Sequence, residues 1–159
     1  VAVLKIRCAW SPLAEVLAEP NAGDMIRAYT EELSPLRDLI PVNPDWSLLQ
    51  RLEAEGSYRI WACRVDSTLA GFLSFLIAPH HDYKDTLFAY DYGHWLSPAY
   101  RNTPGQVGLK MWRSVEPALR ELGVSWVMAH DGQRSLMPFM LRLGYHPFST
   151  LYWRCLDEP

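Results

Sequence analysis

At 159 residues, with 49% apolar and 13% aromatic side chains, the chain has the length of a single domain and enough apolar material to close a core, which excludes a disordered class. A formal charge of −3 supplies no general field for polyanions and no basic run offsets it, so neither nucleic acid nor an acidic membrane surface is an expected partner. Cys8, Cys63 and Cys155 are odd in number and lack metal-ligand spacing, which points to reduced thiols in a cytoplasmic compartment; Lys5 and Arg7 precede any signal-length apolar run, and no stretch approaches the roughly 18 residues of a membrane span.

In chain order, Val1 to Cys8 alternates apolar and polar positions as a strand does. Ser11-Pro12 signals a helix start, with serine as cap, Leu13, Val16 and Leu17 on one face, and Pro20 as the stop. Asn21 to Asp24 reads as a turn, and Met25, Ile26, Tyr29 and Leu33 then recur at helical spacing until Ser34-Pro35. A short helix is expected through Ile40. Asp45 can cap a further helix from Trp46 to about Glu55, with Leu48, Leu49 and Leu52 inward and Gly56 ending it.

From Ser57 the period changes to two. Tyr58 to Val65 and Leu69 to Ala78 read as strands joined at Asp66-Ser67, the second interrupted by Gly71. Pro79 to Asp82 reads as a loop before a long strand, Thr86 to Leu96. A helix to Leu122, a buried strand from Val124 to Ala129, a helix from Gln133 to Leu143 and a last strand from Phe148 to Cys155 follow. The order β, helices, β-β-β, α, β, α, β predicts an α/β (α+β) fold: one domain over residues 1–159 with a mixed, mostly antiparallel sheet flanked by helices.

The stretch from Arg101 to Gly108, RNTPGQVG, joins the long strand to a helix. Glycine lets backbone approach a ligand closely, and the free amides of a helix N-terminus favour an anion such as a pyrophosphate. Arg101, Lys110 and Arg113 add cations nearby. An arginine before a Pro-Gly turn is also an ordinary strand-to-helix connection, and neither a P-loop nor a dinucleotide fingerprint is present.

Leu96-Ser97-Pro98-Ala99-Tyr100-Arg101, Gly105 and Gly108, the apolar helix after them and Leu143-Gly144-Tyr145 together resemble the GNAT family of N-acetyltransferases. The likeness spans roughly Tyr58 to Cys155 and is sharpest from Leu96 to Tyr145; a fainter one is to compact GNAT proteins found in phage genomes. It implies the acyl-CoA N-acyltransferase fold, acetyl-CoA or coenzyme A as cofactor, and direct transfer of acetyl to a small-molecule or protein amine. Possible homodimerisation stays open. The resemblance implies coenzyme contacts at Leu96, Arg101, Asn102, Thr103, Gly105, Gln106, Val107, Gly108, Gln133 and Met140.

Two departures from the family pattern bear on chemistry. The turn between Arg101 and Gly108 is two residues longer than the family's, and Gln133, Leu136, Phe139 and Met140 stand where an Asn-x-x-Ala-x-x-Phe-Tyr run would supply a tyrosine acid. A thioether has no proton to give. The alternative is therefore a catalytically degenerate GNAT-shaped binding or assembly module. Pro117 inside the helix is a further oddity, expected to kink it.

Gly93, in an aromatic strand, marks a bulge or close backbone approach that would turn residues on both sides of it into one cleft. Asp91 and His94 are then candidate bases for the attacking amine, and amides near Leu96 can stabilise the oxyanion. The bland reading makes Asp91 an edge cap and His94 a satisfied sheet residue. His80-His81-Asp82 fits a substrate lip better than a metal centre, and no metal is expected. Glu31, Glu32 and Asp38 could attract a cationic acceptor or form a wet helix face.

Overall fold

Tyr58 to Val65 is apolar on both faces, as a strand covered from both sides must be. The computed structural model describes residues 4–34, 38, 40–103, 106–130 and 136–149, and in it Tyr58–Val65 is β2 of a five-stranded sheet. β1 (Ile6–Ser11), β2, β3 (Thr68–His80) and β4 (Tyr83–Leu96) pair antiparallel in sequence order, and β5 (Val124–Met128) adds to β4 in parallel. Asp66 and Ser67 both take positive φ, 49° and 73°, the backbone twist that a two-residue hairpin between β2 and β3 needs.

Helices cover both faces of this sheet. α1 (Leu13–Leu17), α2 (Ala22–Leu33) and α3 (Trp46–Ala54) bury Leu13, Val16, Met25 and Leu49 against Tyr58, Ile60, Ala62 and Trp95. On the opposite face, α4 (Val107–Glu121) and α5 (Met137–Arg142) pack on Trp61, Cys63, Leu73 and Phe75. The α4 residues Val107, Met111, Trp112, Val115 and Leu119 recur at helical spacing, so one stripe enters the core. Phe75 is fully buried, edge-on to both Trp10 and Trp112, and truncating such a ring costs about 3–5 kcal/mol.

Several boundaries differ from the sequence expectation. β1 begins at Ile6 and runs through Ser11, so Pro12 rather than Ser11 is the N-cap of α1. The expected turn at Asn21 to Asp24 is mostly helix: Ala22, buried, opens α2. Asp45 caps α3 as expected, its Oδ1 accepting the Leu48 N–H at 2.9 Å, but Leu48 itself points outward. β3 runs through Gly71 and through Pro79 to His80, and β4 starts at Tyr83, because main-chain pairing continues past the residues that break a pattern in sequence. Pro117 lies within a continuous α4. The helix expected to reach Ile40 and most of the strand expected from Phe148 to Cys155 lie outside the described residues.

Candidate active site

β4 departs from regular pairing where the chemistry was expected. Ser74 pairs with Gly93 and Phe75 with Asp91, so Tyr92 is an extra, bulged residue, one position before the predicted Gly93. In a regular strand, residues three apart point to opposite faces. The extra residue reverses that parity, and Asp91 and His94 both face α4. His94 Nδ1 lies 2.5 Å from Asp91 Oδ2. An ionised carboxylate only accepts, so Nδ1 is the donor, and in the neutral ring this tautomer leaves the lone pair on Nε2. Asp91 is fully buried and His94 nearly so, with the Trp112 ring edge-on at 5.7 Å.

Gly93 is required for steric reasons. A Cβ there would stand 2.6 Å from the Tyr29 hydroxyl and 3.4 Å from Ser74 Oγ, and that serine donates to the Gly93 carbonyl at 2.9 Å. Burial, then the charge of Asp91, raises the Tyr29 phenol above its ordinary pKa, so it stays protonated.

The pairing of β4 with β5 covers Leu87 to Tyr90. Beyond it, the His130 ring bridges the two elements: its Nδ1–H donates to the Asp91 carbonyl at 2.9 Å, and its ring centroid is 5.1 Å from that of His94. Asp91 thus holds two imidazoles, one by its side chain and one by its main chain. Sequence reasoning missed His130, and the available signal was slight: a polar residue just after a buried strand. Tyr145 packs on Trp112 at 5.8 Å, and its phenol is raised by burial and by the charges of Glu116 and Asp91.

The expected coenzyme residues divide into several groups. Asn102 and Gln106 adopt left-handed backbone, φ 54° and 50°, and Thr103 Oγ1 donates to the Tyr100 carbonyl at 3.1 Å. Gln106 is the N-cap of α4, but its side chain does not cap, leaving the first amides of a 15-residue helix available to an anion. Val107 is fully buried, and a Cβ on Gly108 would reach to 3.4 Å from Leu96 Cδ2, so the helix start lies close against the end of β4. Met140 is buried in the core on the α4 side of the sheet. Gly105 and Gln133 lie outside the described residues.

Arg101 is committed elsewhere than expected. Its guanidinium makes a bidentate pair with Glu32, two bonds of 2.7 Å, while Nε donates to the Leu96 carbonyl at 2.7 Å. Glu32 also accepts from Trp95 Nε1, so its charge is spent within the fold rather than offered to an acceptor. Both side chains are largely buried, which favours this pairing over solvation. Lys110 and Arg113 line a cavity of about 480 Å³ between α4 and β1, together with Cys8, Gln106 and Ser114.

Among the described residues, two groups of side chains have the donor types for a metal. His80, His81 and Asp82 sit at an exposed turn, with the two rings stacked and His80 Nδ1 accepting the Asp82 N–H. Asp91, His94 and His130 form the second.

No protein-family profile matches the chain, and no curated protein does. Solved structures do. A ribosomal-protein-alanine N-acetyltransferase from Brucella melitensis biovar Abortus 2308 aligns with a TM-score of 0.69 at 14% identity, over 98% of this chain and 99% of that one. An aminoglycoside acetyltransferase from an uncultured soil metagenomic sample, in complex with sisomicin, aligns at 0.63 and 14%, over 98% and 97%. A predicted acetyltransferase from Clostridium acetobutylicum, with acetyl-CoA, aligns at 0.65 and 9%, over 96% and 97%. The chain has the fold of the GNAT-type N-acetyltransferases, as its motifs implied. No described helix is long and apolar enough to cross a membrane.

Proposed function

We propose that this chain is an acetyl-CoA-dependent N-acetyltransferase that moves acetyl to an amine by direct attack. The observation that carries the reading is the Asp91–His94 pair, which a bulge turns onto one face of β4 where β4 runs on beyond its pairing with β5. Most free amines are protonated near neutral pH and must lose a proton before attacking a thioester. His94 is the base, acting through Nε2 directly or through one water. Asp91, buried and out of reach of an acceptor, is a positioning residue that keeps the imidazole in the productive tautomer.

The coenzyme pyrophosphate is assigned to the N-terminal turn of α4, at the amides of Val107, Gly108 and Leu109. The uncapped helix start and the glycine there fit an anionic ligand held by main chain. Met140 has no proton for the departing thiolate. Tyr145, kept protonated by burial and by the charges of Glu116 and then Asp91, is the donor assigned in its place. A non-catalytic binding module has less to support it, since such a module has no use for a buried carboxylate aligned on a histidine at a strand bulge.

Proteins of this fold meet unlike amines: one is a ribosomal-protein-alanine N-acetyltransferase, another is an aminoglycoside acetyltransferase in complex with sisomicin. The test is a thermal shift titration with acetyl-CoA, coenzyme A and ADP, followed by thiol release with sisomicin and with an N-terminal alanine peptide. A rise in Tm with both coenzyme forms and acceptor-dependent thiol release support the proposal. No rise with any of them, at millimolar ligand, defeats it.

A further inference from the structure

One oxygen of Asp91 is left unsatisfied among the described residues. Asp91 Oδ2 serves His94 Nδ1 at 2.5 Å and lies 3.5 Å from His130 Nδ1, while Oδ1 is buried with no hydrogen-bond partner among them. The residue has 0% exposure, and among the described residues its ion-pair partners are both imidazoles. A buried carboxylate with an open acceptor is costly, and such an orphan in a folded protein marks a place for an ion or a water.

We propose that Asp91, His94 and His130 form a binding site for one divalent cation of the zinc class, and that an ion bound there withholds His94 from proton transfer. Each residue offers one ligand atom, and all three atoms lie within 4.8 Å of one another. Bonds of about 2.0–2.1 Å in a tetrahedron set ligand atoms roughly 3.3 Å apart. The separations of 2.5 Å and 3.5 Å at Asp91 Oδ2 bracket that spacing; on binding, each Nδ1 gives up the proton it now donates, the ring passes to its Nε2–H tautomer, which leaves His94 Nε2 without a lone pair, and small side-chain rotations complete the set. Two imidazoles and a carboxylate are a zinc donor set that leaves a fourth position for water.

The ligands stand on β4 and immediately after β5, elements joined in one sheet, which gives the site rigid support. His130 is partly exposed, at 30% of its side chain, and provides the route in from solvent. The His80, His81 and Asp82 group lacks these properties: His81 and Asp82 are exposed, the three are consecutive at the end of β3 and its turn, and none is a buried charge that needs a cation. Ion binding stands on this geometry alone, whereas the effect on turnover rests on the acetyl-transfer reading.

The experiment is calorimetric titration of the chelator-treated full chain with zinc chloride, paired with the visible absorption of the cobalt(II) form. The expected result is one ion per chain, a four-coordinate cobalt spectrum, and affinity reduced about tenfold or more in both His130→Ala and His94→Ala. His81→Ala and Cys8→Ser should bind as the parent does. His130 is partly exposed, so its variant is expected to fold, and circular dichroism checks this. No binding at tens of micromolar zinc, or binding that survives both histidine substitutions, overturns the site. In a chain that shows thiol release, zinc should suppress it and a chelator restore it; release unaffected by a bound ion overturns the inhibitory half, and the cobalt spectrum judges the site even if no acceptor is ever turned over.

Discussion

Asp91 and His94 are three residues apart on one strand, yet Oδ2 of one meets Nδ1 of the other at 2.5 Å because Tyr92 is bulged out of register between them. That contact needs an acceptor-only group at position 91. In Asp91→Asn the amide can present its NH₂ to Nδ1 and move the proton to Nε2, which removes the base without changing the shape of the site. The expected outcome is a fall in kcat of about 100-fold with little change in KM for acetyl-CoA. Nitrogen NMR of the His94 ring should show the reversed tautomer, a readout that mere destabilisation would not produce.

Gly93 and Tyr29 should be energetically coupled. A methyl group at 93 meets the Tyr29 hydroxyl at 2.6 Å, and overpacking of this kind costs about 1–3 kcal/mol. Tyr29→Phe removes the clashing oxygen, leaving the ring carbon beneath it at 3.3 Å. Urea unfolding of Gly93→Ala, Tyr29→Phe and the double variant should therefore show the double variant recovering part of the loss. Simple additivity would mean that the phenol does not rest on Gly93.

The fork between Arg101 and Glu32 predicts a structural rather than a coenzyme phenotype. Lysine cannot reproduce two parallel bonds, so Arg101→Lys should lower stability by about 1–3 kcal/mol in urea. Coenzyme A affinity should change little. A large loss of affinity at unchanged stability would return Arg101 to the pyrophosphate.

Cys8 and Cys63 face each other across β1 and β2, and their titrations should diverge. A hydrogen bond from Cys63, then one from Ser114 and the charge of Lys110, bring the Cys8 thiol down from 9.0 to about 7, against an opposing effect of burial. The shared hydrogen bond and burial push Cys63 upward. Alkylation by iodoacetamide, mapped by peptide, should thus rise at Cys8 as pH passes through about 7 and leave Cys63 untouched. The folded pKa is the lower one, so the stability this thiolate contributes is present above the unfolded pKa and is lost as pH falls through about 7. Cys63→Ala should move the reactivity midpoint back toward 9.0.

The sequence alone determined the kinds and order of the elements from β1 to α5 that the described residues cover, because hydrophobic period and turn chemistry act over a few residues. The end of helical spacing at Ser57, the Asp66-Ser67 turn, the Asp45 cap and the apolar helix after Gly108 are all local facts, and the structure has each of them. The motif run from Leu96 to Tyr145 was enough to imply the fold. Strand ends at Ile6, His80 and Tyr83 were decided by pairing with neighbours, which no local pattern records.

The candidate site was legible only in part. Gly93 marked the neighbourhood of the bulge, but which residue was extra, and hence which side chains share a face, depended on register against β3. His130 meets Asp91 across 39 positions of chain, and Arg101 meets Glu32 across 69. A charge beside a glycine turn looks free until tertiary folding brings its partner to it. Contacts between residues distant in sequence set an expected phosphate ligand against Glu32 and brought a histidine without a motif to the candidate active site.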